Sequence, residues 1–120
     1  MVMSWSLNSD RPIFVQIIEH MEMDIVSGAL PPGSKVASVR ELASEAAVNP
    51  NTMQRALSEM ERKGLMHSER TSGRFVTDDE NVISALKIEL AASGVDGFVA
   101  QMRRLGLEKD EVLNMIREKY

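Results

Sequence analysis

The stretch "AVNPNTMQRALSEMERKGL", from Ala47 to Leu65, limits the fold more than any other part of the chain. A residue before proline is pushed out of helical conformation, so a helix arriving at Asn49 must stop there. Pro50 has the fixed φ that suits the start of a new helix, and Asn49 is a good cap for it. The chain is therefore expected to carry two helices separated by only a few residues. The upstream helix opens in "SVRELASEAA", where Ser38 and Glu41 have capping-box spacing and Val39, Leu42, Ala43 and Ala46 form the buried face. Downstream, Met53, Ala56, Leu57 and Met60 recur at helical spacing, and Gly64 closes the segment.

The flanking segments complete the pattern. "SDRPIFVQIIEHMEMDIVSG" predicts a first helix, with Pro12 in its first turn, Phe14, Ile17, Ile18, Met21 and Ile25 on one stripe, and Gly28 at its end. "LPPGSK" is a turn, because two prolines and Gly33 cannot continue a helix. After Gly64 the period changes: "LMHSE" and "RFVT" read as short strands joined by "RTSG", with Gly73 at the tip. The order helix, helix, tight turn, helix, hairpin predicts a mainly α fold with a small β wing, a winged helix-turn-helix. It should occupy residues 1–77, leaving a short helical tail at 78–120.

Composition narrows the classes. Apolar residues make up 43% and charged residues 27% of 120, enough for one packed domain with a small appendage. There is no cysteine, which excludes thiolate metal sites and thiol catalysis. No apolar run approaches a membrane span and no signal-peptide layout is present, so the expected compartment is the cytoplasm. The net charge of −4 argues against a polyanionic partner until it is resolved along the chain. Met1–Ser34 carries net −3, Lys35–Val76 net +2 and Thr77–Tyr120 net −3. Screening confines charge effects to about 8–10 Å at ordinary salt, so a basic face can bind phosphate on an acidic molecule.

With Met53 inward, Asn51, Arg55, Ser58 and Arg62 project to the opposite side at about 100° per residue, flanked by Thr52 and Gln54. Asn, Gln and Arg can pair with base edges, and a recognition helix enters the major groove by its N-terminal end. A solvated helix face with no partner would show the same residues. The preceding helix, the tight turn and a basic wing favour DNA. On the wing, Arg70 and Arg74 bracket Thr71, Ser72 and Gly73, which suits phosphate or minor-groove contact, or an ordinary polar hairpin. Arg40 is placed to reach DNA or to pair with Glu41 or Glu45.

These residues carry a resemblance. The segment from Pro12 to Val76, with "PPGSK", "SVRELA", "VNPNT", "RAL" and the wing glycine before "FV", is similar to the winged helix-turn-helix domain of GntR-type bacterial transcription regulators. The tail, with "RRLGLEKDEVLNMI", resembles the YtrA subfamily, in which a small helical region dimerises the protein. The resemblance implies DNA contacts at Ser38, Arg40, Pro50, Asn51, Thr52, Gln54, Arg55, Arg70 and Thr71, with Gly73 shaping the wing. It further implies a homodimeric repressor on an inverted-repeat operator near an operon, often one encoding an ABC-type transporter. Two positions depart from the family pattern: Ala37 replaces a proline, and Thr71 stands where the wing often has glycine.

In the tail, "TDDENVISALKIELAASG" predicts a capped helix with Val82, Ile83, Leu86 and Leu90 inward. "VDGFVAQMRRLG" and "LEKDEVLNMIREKY" predict two more, interrupted by Gly94, Gly97 and Gly106, the last with Val112, Leu113, Ile116 and Tyr120 on its apolar side. So small a region buries little apolar surface alone. Val82, Leu86, Leu90, Phe98, Met102, Val112 and Ile116 are the expected dimerisation residues. A small-molecule effector site at the dimer interface, or a winged-helix adaptor that binds protein, are the other readings; no cofactor or metal is expected. His20 and His67 are the only histidines, and His20 with Asp24 is read as surface rather than as a metal pair. "TDDEN" is a helix start with acids at the positive end of the dipole, not a carboxylate dyad, and no enzyme is expected.

Overall fold

The apolar stripe of the first segment forms helix α1, Ile13–Ser27, which buries Ile17, Ile18, Met21 and Ile25 and half-buries Phe14. The computed structural model describes residues 5–120. Pro12 stands one place earlier than expected, as the N-cap, where its carbonyl accepts the Gln16 N–H at 3.3 Å. Gln16 is itself 5% exposed and holds the segment before the helix. Its Nε2 donates to the carbonyls of Asn8 and Arg11 at 2.8 Å, and its Oε1 accepts from the Asn8 N–H at 2.9 Å. The Trp5 ring stacks on His20 at 4.1 Å, and His20 Nε2 lies 3.1 Å from Asp24 Oδ2. No group of three or more His, Cys, Asp or Glu side chains suited to a metal gathers among the described residues.

Helix α2, Val39–Ala46, begins where the capping pattern puts it: Ser38 Oγ accepts the Glu41 N–H at 3.1 Å. It ends at Ala47, which adopts left-handed φ 56 without being glycine. Helix α3, Pro50–Arg62, follows after the Asn49 cap, whose Oδ1 accepts the Asn51 N–H at 2.7 Å. Met53, Ala56, Leu57 and Met60 are all 0% exposed. This stripe packs α3 against both α1 and α2.

Strands β1, Met66–Glu69, and β2, Gly73–Val76, pair antiparallel from Met66 opposite Val76 to Glu69 opposite Gly73. The loop is thus Arg70, Thr71 and Ser72, and Gly73 opens β2 rather than sitting at the tip. A third extended piece joins the far edge of β2. The Val36 N–H donates to the Arg74 carbonyl and the Val76 N–H to the Ser34 carbonyl, both at 2.9 Å, and Lys35 bridges Phe75. The "GSK" end of the predicted turn is therefore a third edge of the wing.

The tail differs from expectation. Helix α4 runs unbroken over Glu80–Arg104, through Gly94 and Gly97, and only Gly106 (φ 80) turns the chain before helix α5, Lys109–Lys119. A glycine inside a helix costs about 1 kcal/mol relative to alanine but does not forbid it, and no proline stands nearby to force a break. The chain divides into two compact units at Leu86 and Lys87. No described helix is long and apolar enough to cross a membrane. Leu57→Ala should lower stability by about 2–5 kcal/mol, because the fully enclosed site cannot collapse around the loss. Chemical denaturation should record this as a lower midpoint at unchanged slope.

Candidate nucleic-acid interface

The start of α2 and the wing face one groove, and α3 carries an exposed polar face opposite its buried stripe. Asn51, Gln54, Arg55, Ser58 and Arg62 are exposed on α3, opposite the buried stripe, and Thr52 is half-buried at its start. Pro50 is exposed at the first position of the helix. Between α2 and the wing a groove is lined by Lys35, Ser38, Arg70, Thr71 and Gly73, together with the acids Glu41, Glu45 and Glu69. Lys35 was not singled out in the sequence; its position directly after the proline turn gave no sign that it would lie along the wing.

The side chains of this face are in different states. Among the described residues, Lys35, Arg40 and Arg70 have no carboxylate within ion-pair distance. Arg40 therefore makes neither of the pairs with Glu41 or Glu45 that its position allowed. Arg55 lies with its guanidinium carbon 4.1 Å from the Phe14 ring centre, an orientation worth about 0.5–1 kcal/mol at an exposed site. Gln54 Nε2 donates to Ser58 Oγ at 3.0 Å, one turn on, so it lies along the helix.

The remaining bases are engaged. Arg62 Nε donates to Glu59 Oε2 at 2.9 Å. This hydrogen bonding holds the Glu59 carboxyl below the usual carboxylate range and raises the Arg62 guanidinium further. The pair is complete above the ordinary carboxylate pKa and is lost as pH falls through the lowered one, so at neutral pH Arg62 is occupied. Arg74, read from the sequence as a free wing base, is instead turned toward α3: its Nε is 3.3 Å from Glu61 Oε1, and its side chain is only 15% exposed. The bracket of two arginines around the wing tip is thus one free arginine, Arg70.

With this geometry in place, comparison with known proteins decides the family. A family model described as bacterial regulatory proteins, gntR family, matches residues 14–76. The chain belongs to the GntR family. It is a family of DNA-binding transcriptional regulators and not of enzymes. The chain is 42% identical to the HTH-type transcriptional regulator YhcF of Bacillus subtilis, over 91% of this chain and 90% of that one. It is 32% identical to the HTH-type transcriptional repressor YtrA of the same organism, over 92% and 85%. Among solved structures, a GntR family transcriptional regulator from Listeria monocytogenes superposes with a TM-score of 0.87 at 32% identity, covering 93% of this chain and 98% of that one.

The seven tail residues are spread over different environments. Leu86 is 6% exposed and buried in the first unit, and Val82 is half-buried there. In the second unit Leu90, Met102 and Val112 are half-buried, while Phe98 and Ile116 are each 39% exposed.

Gly73 has two reasons to be glycine. Its φ is 109, and a Cβ there would stand 3.1 Å from Lys35 Cε. The end of a lysine can move aside, so backbone strain is the larger cost. Gly73→Ala should therefore destabilise the domain by about 1–3 kcal/mol. Urea titration should show that loss, with faster amide exchange in β1 and β2 than in α3.

Proposed function

We propose that two copies of this chain bind an inverted-repeat operator in the cytoplasm and repress a nearby operon, such as one encoding an ABC-type transporter. Each recognition helix α3 enters a major groove by its N-terminal end. Asn51, Gln54 and Arg55 face base edges, with Pro50 and Thr52 at the groove entrance. Ser38 and Arg40 approach the backbone from the start of α2, and Arg70 and Thr71 approach it from the wing. The observation that carries this reading is the exposed polar face of α3, opposite its buried stripe; the groove between the α2 start and the wing supports it, with Lys35, Arg40 and Arg70 free of carboxylate partners among the described residues. Repression is supported by the likeness to a named repressor.

Dimerisation is supported by the second unit. Among the described residues none beyond Leu86 is buried, and Val95, Phe98, Val99, Leu105, Met115 and Ile116 are large, apolar and exposed. So much uncovered apolar surface marks a binding face, and a second copy covers it symmetrically. Few bases per protomer make few phosphate contacts, so joining two modules raises affinity by about 10²–10⁴ without any new contact type.

Titration of a probe from the gene's own upstream region tests the reading. Arg40→Ala should weaken binding to all sequences alike and lower the salt slope by about one, as for a lost phosphate contact. Arg55→Ala should cost about 1–3 kcal/mol and relax specificity, as for a lost base contact. Unchanged affinity in both folded variants would take DNA off this face.

Light scattering tests the assembly. The full chain should be a dimer, and Phe98→Asp with Ile116→Asp should give a folded monomer. On a two-half-site probe that monomer should lose about 10²–10⁴ in affinity. A full-length chain that stays monomeric even on the operator would end the dimer model.

A further inference from the structure

The last turn of α3 carries an acid that the DNA reading does not use. Glu61 Oε1 accepts from Ser68 Oγ on β1 and from Arg74 Nε on β2, the latter at 3.3 Å. One carboxylate oxygen thus holds both strands of the wing to the recognition helix. The contacts are partly enclosed: the Glu61 side chain is 29% and the Arg74 side chain 15% exposed, where an ion pair is screened less than on an open surface.

The surroundings make this more than a chance surface pair. On the opposite flank of α3, Lys63 Nζ donates at 2.9 Å to Glu22 of α1, whose side chain is 8% exposed. The end of α3 is therefore fixed to the helical core on one side and to the wing on the other. β2 is fixed on its far edge as well, through the Val36 N–H to the Arg74 carbonyl at 2.9 Å. What remains free in the wing is the loop Arg70–Ser72, which is exposed. Glu61 is the side chain that links both of its flanking strands to α3.

The structure assigns to Glu61 the role of a positioning residue for DNA binding: it sets the wing against the recognition helix so that Arg70 and the α3 face meet one DNA duplex together. This rests on the reading of α3 and the wing as the DNA face. The physical reason is preorganisation. A wing already placed adds its phosphate contact as an intramolecular event, whereas a loose wing must be ordered on binding. Arg74 serves this purpose by holding Glu61, not by touching DNA. The opposite role is conceivable from the same contact: Glu61 would merely neutralise Arg74 and reduce the attraction for phosphate. The two roles predict changes of opposite sign.

The test compares Glu61→Ala and Glu61→Gln in the full-length chain. As a positioning residue, Glu61→Ala loses about tenfold in operator affinity, and its salt slope falls by about one because the wing contact is no longer made. Arg70→Ala then costs far less in the Glu61→Ala background than in the natural chain, a non-additivity that a general loss of stability does not produce. Glu61→Gln, which keeps an acceptor oxygen for Ser68 and Arg74, recovers most of the affinity. If Glu61→Ala binds as tightly as the natural chain, or tighter with a steeper salt slope, the assignment is overturned.

Amide exchange without DNA gives a second, independent measurement. Glu61→Ala should speed exchange across Met66–Val76 while leaving α1 and the start of α3 unchanged, and unchanged wing exchange would overturn the assignment. If the natural chain fails to bind any operator probe, the DNA reading falls, and the exchange data still decide whether Glu61 holds the wing. Should Glu61→Ala fail to fold, Ser68→Ala and Arg74→Ala each remove one donor and carry the same comparison.

Discussion

Burial of one stripe of α3 organises the first unit. Met53, Ala56, Leu57 and Met60 are wholly enclosed, and α1 and α2 are the walls that enclose them. A helix with its inner face spent in this way has no freedom to rotate about its axis without exposing apolar surface, at roughly 25 cal/mol for each Å². The outer face is then determined by subtraction. Asn51, Gln54, Arg55 and Ser58 point away from the core because the methionines and Leu57 point into it. Function on this protein is the complement of packing, and the two faces were specified together.

That constraint also bears on the electrostatics. Around α2, α3 and the wing some bases are uncommitted and others are occupied. Lys35, Arg40 and Arg70 stay free among the described residues, while Arg62 is held by Glu59, one helical turn away, and Arg74 by Glu61 on another element. Each phosphate neutralised contributes a salt slope of about −0.9, so under the proposed reading a single face with three free bases would bind DNA modestly. Glu41 and Glu69 line the same groove as Lys35 and Arg70 and reduce the attraction further. Under the proposed reading, affinity would come from geometry and from the number of copies more than from density of charge.

Much of the first unit was legible because its signals are local. The Ser38 cap, the Asn49–Pro50 break and the period of Met53, Ala56, Leu57 and Met60 each depend on neighbours in sequence, and all three appear in the structure. What could not be read depends on distant residues. Arg74 looked free because its partner, Glu61, lies on another element; the strand pairing that brings them together is set by the whole wing. Lys35 looked like the end of a turn because the edge of β2 that it joins comes much later in the chain. Arg55 over Phe14 is a contact between α3 and α1 that no periodicity reports. The tail failed for another reason. Gly94 and Gly97 read as breakers in the sequence, yet glycine ends a helix only where the backbone turns left-handed, as Gly106 does.

The continuity of α4 gives those two glycines a meaning. Each costs its helix about 1 kcal/mol relative to alanine, and nothing lies within 4 Å of where their Cβ atoms would stand. Within one copy of the chain the absence of a side chain therefore gains nothing. Beside them Val95, Phe98 and Val99 are exposed apolar groups that also gain nothing in a single copy. Both costs have one remedy. A second helix lying close along this stretch would bury the valines and the phenylalanine, and the missing Cβ atoms would let its backbone approach. The features that are unfavourable in a single copy are the ones a symmetric partner would turn to advantage. That asymmetry ties the proposed dimer to the energetics of α4 itself, and through the dimer to the proposed DNA face.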